Sequence, residues 1–197
     1  MKKICVYAIL LMGLLGGVTF AQMPEDMQNS TPPEGYYREH LALPAEIRQM
    51  LDENKAKEAV AAYEKFKKTA QADALDMLFL DAEVYGSASF LEPNADYGRM
   101  REEAVRKMLE KYPNNAEVLM YTIPDDGNPE ESLKILNKMI EVDSEYLPAY
   151  EMRCRIYLAK GDKDAACQDY AKLPEAARIG LLGPDVDCSK EVSAAQK

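Results

Sequence analysis

The side chains best suited to chemistry here are few: four cysteines, a single histidine and a group of acids around Gly127. Cys5 falls in an apolar N-terminal run and leaves with it if that run is a cleaved leader, so Cys154, Cys167 and Cys188 remain. In an exported chain an odd number of cysteines gives one pair and one leftover thiol. A redox centre needs Cys-x-x-Cys or a thiol beside a base, and neither occurs locally. Zinc needs four ligands at suitable spacing, whereas His40 stands far up the chain and reads as an exposed residue at the end of a linker. Asp125-Asp126 and Glu130-Glu131 flank a turn, but a calcium loop requires oxygen ligands at alternate positions around its glycine. Helix capping accounts for these acids instead. Gly-x-Ser-x-Gly, a phosphate-cradling glycine loop and His-Glu-x-x-His are all missing. A non-enzymatic chain without metal or cofactor is expected.

The elements that would position these residues are helices. In Leu147–Leu173, Tyr150, Cys154 and Tyr157 share one face at i, i+4 and i+7. Lys160-Gly161-Asp162 ends that helix. The base suits its last turn, the glycine takes a left-handed conformation at no steric cost, and the aspartate caps the next helix. Ala166, Cys167, Tyr170 and Leu173 then line one face of the second helix, which gives an antiparallel hairpin. One hairpin buries too little surface to offset its ordering entropy, so stacked neighbours are expected. Stepping 34 residues back places Ser132, Leu133, Leu136 and Met139 under that quartet, and Gly127 under Gly161. A further 73 residues back (34 plus a unit enlarged by 5) stand Ala59, Val60, Tyr63 and Phe66, with Asn54 at the turn.

The remaining segments fit the same scheme. Pro44 opens a helix with Ile47, Met50 and Leu51 inward, and Lys55–Lys68 follows it. Ala72–Tyr85 is apolar on most sides, as suits a helix packed between neighbours. Gly86–Asp96 reads as an interrupted connection, and Tyr97–Tyr112 turns Met100, Ala104, Val105, Met108 and Leu109 inward. Ala116–Ile123 is short, and Asn128-Pro129-Glu130-Glu131 starts the following helix with a cap, a proline and acids at the positive dipole end. Pro174–Leu182 reads as a capping helix, and Lys190–Lys197 as a frayed tail.

A 34-residue period of paired helices resembles the tetratricopeptide repeat. Tyr150, Tyr157, Gly161-Asp162, Ala166 and Tyr170 fit that family's pattern, while Arg153-Cys154 replaces its Leu-Gly pair. Pro113-Asn114-Asn115, after Lys111-Tyr112, resembles the turn the family places between repeats. The resemblance covers about residues 40–173. It implies an all-α fold, a right-handed superhelical stack of antiparallel helix hairpins. The units fall at about 40–73, 74–112, 113–146 and 147–173, with a cap at 174–182. It also implies a binding face, a concave wall lined by the first helix of each hairpin. Here that wall would carry Leu78, Ala82 and Tyr85, then Glu117 and Tyr121, then Glu151, Arg155 and Leu158. Family members that grip a C-terminal carboxylate use Lys, Arg and Asn on this wall. Leu78, Glu117 and Glu151 stand there instead, so a basic or amphipathic segment suits it better. Tyr85 and Tyr121 also read as residues that pack between hairpins. Cys154 occupies the place of a small buried residue and reads as an inert core thiol. A Cys167–Cys188 pair would pin the capping segment to the last hairpin, closing a loop of about 20 residues worth roughly 3 kcal/mol. Cys154–Cys167 across the hairpin is the other pairing open.

Residues 1–21 read as a secretory leader: Lys2-Lys3, an apolar run Ile4–Val18, then Thr19-Phe20-Ala21, with cleavage between Ala21 and Gln22. The run is shorter than the roughly 20 apolar residues of a spanning helix, and Gly13, Gly16 and Gly17 interrupt it, so no integral membrane segment is expected after cleavage. Residues 22–39 read as a flexible linker and 183–197 as a tail. The formal charge is −10, and loss of Lys2 and Lys3 leaves 22 bases against 34 acids. Nucleic acid and anionic membrane surfaces are therefore poor partners. The function expected is a periplasmic or secreted scaffold that binds a protein or peptide segment. A structural piece of an envelope assembly and a small thiol-dependent redox protein are the alternatives.

Overall fold

The computed structural model describes residues 40–124, 127–183 and 185–195. The expected leader, its cleavage point at Ala21 and Gln22, the linker and the Asp125-Asp126 pair lie outside the described residues. Among the described residues the chain is all-helical, with ten helices and no strand. They divide into two compact units, residues 40–113 and 114–195.

The first unit holds α1 (Ala45–Asp52), α2 (Ala56–Lys67), α3 (Ala74–Leu91) and α4 (Tyr97–Lys111), each packed on the next. Pro44 stands directly before α1. The turn into α2 passes through Asn54 in the left-handed region at φ 58°, a conformation asparagine tolerates better than most side chains. Asp73 caps α3, its Oδ1 accepting from the Leu75 and Asp76 amides at 2.8 Å each. Leu43, Ile47, Val60, Tyr63, Leu80, Val84 and Ala88 are core residues of this unit.

The expected break at Gly86 is corrected: α3 runs on to Leu91. Ala88 and Leu91 continue the inward period set by Leu80 and Val84, and Ala88 is fully buried. Gly86 serves a close approach, because a Cβ there would lie 3.2 Å from Arg101 Cδ on α4. The connection shrinks to residues 92–96, and Phe90 is left 86 % exposed.

The second unit holds α5 (Ala116–Met120), α6 (Pro129–Val142), α7 (Leu147–Lys160), α8 (Lys163–Tyr170), α9 (Glu175–Arg178) and α10 (Ser189–Ala195). Helices α5 to α8 pack in chain order, and α10 lies on α8. Asn128 Oδ1 accepts from the Glu130 and Glu131 amides at 3.2 and 3.3 Å, with Pro129 in the first turn. Gly127 and Gly161 are left-handed at φ 70° and 78°, and Asp162 accepts from the Ala165 amide at 3.1 Å. One core cluster joins Leu119, Met120, Leu136, Met139, Met152 and Ile156. A second gathers Tyr150, Cys154, Ala166, Leu173 and Leu181.

Two expectations at the end of the chain are corrected. The capping helix is a single turn, α9, because the chain bends at Gly180 (φ 71°). It is Leu181, 6 % exposed, that enters the cluster around Leu173. Residues 189–195 form α10 instead of fraying. Asp187 Oδ1 accepts from the Ser189 amide at 3.0 Å, and Cys188 anchors the segment.

Candidate functional site

The residues expected on the wall fall in different environments. In the first unit, α3 lies against both α2 and α4. Ala82 and Tyr85 are consequently buried, and the Tyr85 hydroxyl donates to Glu64. Leu78 is half-buried. With Met77 on α3 and Lys107, Glu110 and Lys111 on α4, it lines a cleft of about 560 Å³.

In the second unit, Glu117 is buried within α5, whose five residues are all enclosed. Tyr121 follows that helix and is half-buried. Glu151 and Arg155 meet one turn apart on α7, with Arg155 NH2 2.8 Å from Glu151 Oε1. Leu158, half-buried, continues that helix and packs on the Tyr150–Leu181 cluster. Leu78 in one unit, and Tyr121, Glu151, Arg155 and Leu158 in the other, keep partial access to solvent.

Two polar networks escaped the reading by helical faces. The Tyr63 hydroxyl donates to Asp81 Oδ1 at 2.8 Å, and Lys67 Nζ donates to the same oxygen at 2.5 Å. The Lys67 ammonium also sits 5.8 and 5.9 Å from the centroids of the Tyr63 and Tyr85 rings, which meet edge to face at 81°. Burial, then the Asp81 charge, pushes the Tyr63 phenol up; burial, then the hydrogen bond to Glu64, does the same for Tyr85. Both therefore stay neutral donors, and the cluster fastens α2 to α3. Its signal was in the sequence: Tyr63 and Lys67 stand four apart on α2, as do Asp81 and Tyr85 on α3.

The second network centres on Asp169, 3 % exposed on α8. Arg153 on α7 grips its carboxylate with two bonds, Nε at 2.8 Å and NH2 at 2.6 Å. A third nitrogen reaches Asn137 on α6 at 2.5 Å, and the guanidinium lies 5.6 Å from the Tyr150 ring centroid. Hydrogen bonding to Asp169 holds the Arg153 guanidinium above its ordinary value. This grip ties three consecutive helices together.

Cys167 and Cys188 form a disulfide with Cα atoms 5.0 Å apart. Cys154 is a buried thiol, and burial, followed by the Asp169 charge, pushes it up to about 11. A thiol so protonated is a poor nucleophile near neutral pH. His40 is corrected from an exposed residue to a half-buried one. Its Nδ1 lies 2.9 Å from Asp76 Oδ1, and its ring rests 4.6 Å from that of Phe79. The first two turns of α3 offer a carboxylate and an apolar ring, Asp76 and Phe79, and these draw the imidazole in. A cavity of about 910 Å³ separates α9 from α10 and is lined by Tyr170, Leu173, Arg178, Ile179, Cys188 and Val192, among others.

Among the described residues no group of three or more His, Cys, Asp or Glu is placed to hold a metal ion. No described helix is long and apolar enough to cross a membrane. Comparison with protein-family models, with curated proteins and with solved structures finds no match to this chain.

Proposed function

We propose that this chain is an exported, non-enzymatic scaffold of tetratricopeptide-like hairpins that binds an amphipathic protein or peptide segment. The observation that carries this reading is the recurrence of one turn and one buried quartet. Asn54, Gly127 and Gly161, the residues aligned by the sequence period, all take the left-handed conformation. The quartets that follow them match in burial at their ends: Ser132 and Ala166 are both fully enclosed, as are Met139 and Leu173. In the first unit Ala59 repeats the enclosed first position, while Phe66 at the last is half-buried. A module repeated in this way supports preorganised recognition, because rigid helices keep the ordering cost of binding low.

Within each unit the contact residues are those with partial access: Leu78 beside its lysine-bordered cleft in the first, and, separately, Tyr121, Glu151, Arg155 and Leu158 in the second. Leu78 and Leu158 supply apolar area, and the flanking charges supply orientation. Ala82, Tyr85 and Glu117 serve packing. The buried, protonated Cys154 weighs against the thiol-dependent alternative.

The test is site-specific photocrosslinking. A photoreactive residue at position 155 or 78 of the secreted chain is irradiated with envelope and culture fractions, and adducts are identified by mass spectrometry. One stoichiometric adduct from each position, with that from position 155 reduced by Tyr121→Ala at unchanged helicity, is the expected result. Adducts as abundant from exposed Lys138 as from position 155 would remove the reading.

A further inference from the structure

We propose that the Cys167–Cys188 disulfide is a reversible latch on a C-terminal arm, residues 185–195, which covers the cavity beneath it. Among the described residues of that arm, Cys188 alone is buried. Helix α10 contributes no buried side chain, and its neighbour among the helices is α8, where Cys167 lies. Between α10 and α9 stands the 910 Å³ cavity in place of a packed interface. Beyond the disulfide, a polar tether from the arm to α8 among the described residues is an exposed one, Lys163 Nζ donating to the Asp185 carbonyl at 3.0 Å. Apolar burial of this kind is too slight to hold a segment of this length against its conformational entropy. The covalent bond holds it.

The hairpin itself does not depend on the arm. Leu173 and Leu181 close the cluster around Tyr150 and Cys154 before the arm begins. Arg178 satisfies the last carbonyls of α8, with Nε 3.0 Å from the Tyr170 oxygen and NH2 2.9 Å from that of Ala171. Cutting the latch thus frees residues 185–195 and leaves α5 to α9 folded. It also uncovers a wall formed by Tyr170, Leu182 and the exposed Ile179.

The chemistry is thiol–disulfide exchange with a dithiol reductant. One thiolate of the reductant attacks the sulfur of Cys188, a residue of the cavity lining that is 3 % exposed, and Cys167 leaves as a thiolate. The second thiol of the reductant then displaces Cys188, so a disulfide forms in the reductant. Two electrons and two protons pass to Cys167 and Cys188. Cys154, buried and protonated, takes no part. This inference stands apart from the proposed binding face and survives its failure.

The test places a donor and an acceptor fluorophore, through non-natural amino acids, at exposed Lys172 and Ala194 of the full chain. Time-resolved energy transfer is compared before and after reduction, and in Cys188→Ser without reductant. The expected result is one narrow distance when oxidised, lost to a broad distribution in both other states. Far-UV circular dichroism should fall only by the contribution of α10. An unchanged distance distribution on reduction would show that packing holds the arm. Unfolding of the whole second unit would show that the bond staples the unit as a body. Either result overturns the latch.

Discussion

Removing Arg153 should cost this fold far more than removing a typical surface arginine. Asp169 is 3 % exposed, and its two carboxylate oxygens are both taken by Arg153. Arg153→Ala leaves that carboxylate buried and uncompensated, a change that costs about 3–5 kcal/mol. Loss of the guanidinium from the Tyr150 ring adds roughly 0.5–1 kcal/mol. The reverse change is milder. The Arg153 side chain is 19 % exposed and can extend into water, so Asp169→Ala should cost about 1.5–3 kcal/mol, the worth of hydrogen bonds to a charged group. Replacing both residues, as Arg153→Met with Asp169→Leu, should land within about 1 kcal/mol of the parent, because the buried charge is then gone. Single costs that far exceed the double cost define a strongly coupled pair.

Urea unfolding followed by circular dichroism measures the series, with the slope held common. Small, equal and additive costs would refute the reasoning, since they describe a screened surface pair.

Other substitutions probe single features. Ser132 Oγ is buried without a hydrogen-bond partner among the described residues, so Ser132→Ala should stabilise the protein by about 1 kcal/mol in the same assay. Gly161 is left-handed, and a Cβ there would meet nothing within 4 Å. Gly161→Ala should therefore destabilise by the backbone term alone, about 1–2 kcal/mol. Cys154, pushed up to about 11, holds about one part in a thousand as thiolate at pH 8. A chromogenic disulfide reagent should find no fast thiol in the folded chain from residue 22, and one on unfolding. A fast-reacting native thiol would contradict the burial of Cys154.

The features that proved legible were those written into single residues. Asn128 before Pro129, Asp162 after Gly161 and the left-handed positions themselves depend on one side chain and its own backbone. The extent of α3 was less so, because Gly86 reads as a breaker until Arg101 is known to lie against it. The same holds for α10, whose acids and lysine resemble a tail until Cys188 ties it down. Exposure along the expected wall was the hardest to foresee. A helix apolar on most sides, such as α3, gives no single face by periodicity, and contact with both α2 and α4 is what buries Ala82 and Tyr85.

Helix α7 shows how much more a face can tell when charges are placed on it as carefully as apolar residues. Arg153 lies three positions after Tyr150 and four before Tyr157, on the seam toward α8, where a half-buried arginine must find an acid. Arg155 is roughly 200° further round the helix and pairs within α7 itself, with Glu151 at a turn's distance. Two arginines two residues apart thus hold different offices, one in the fold and one on a partly open surface. The distinction is measurable. Arg155→Ala should lower stability by about 0.5 kcal/mol, as expected for an i, i+4 pair, while reducing capture of a partner. Arg153→Ala should lose several times more stability. Equal stability losses at the two positions would place Arg155 in the packing as well, and the recognition proposed for α7 would then rest on Glu151 and Leu158 without it.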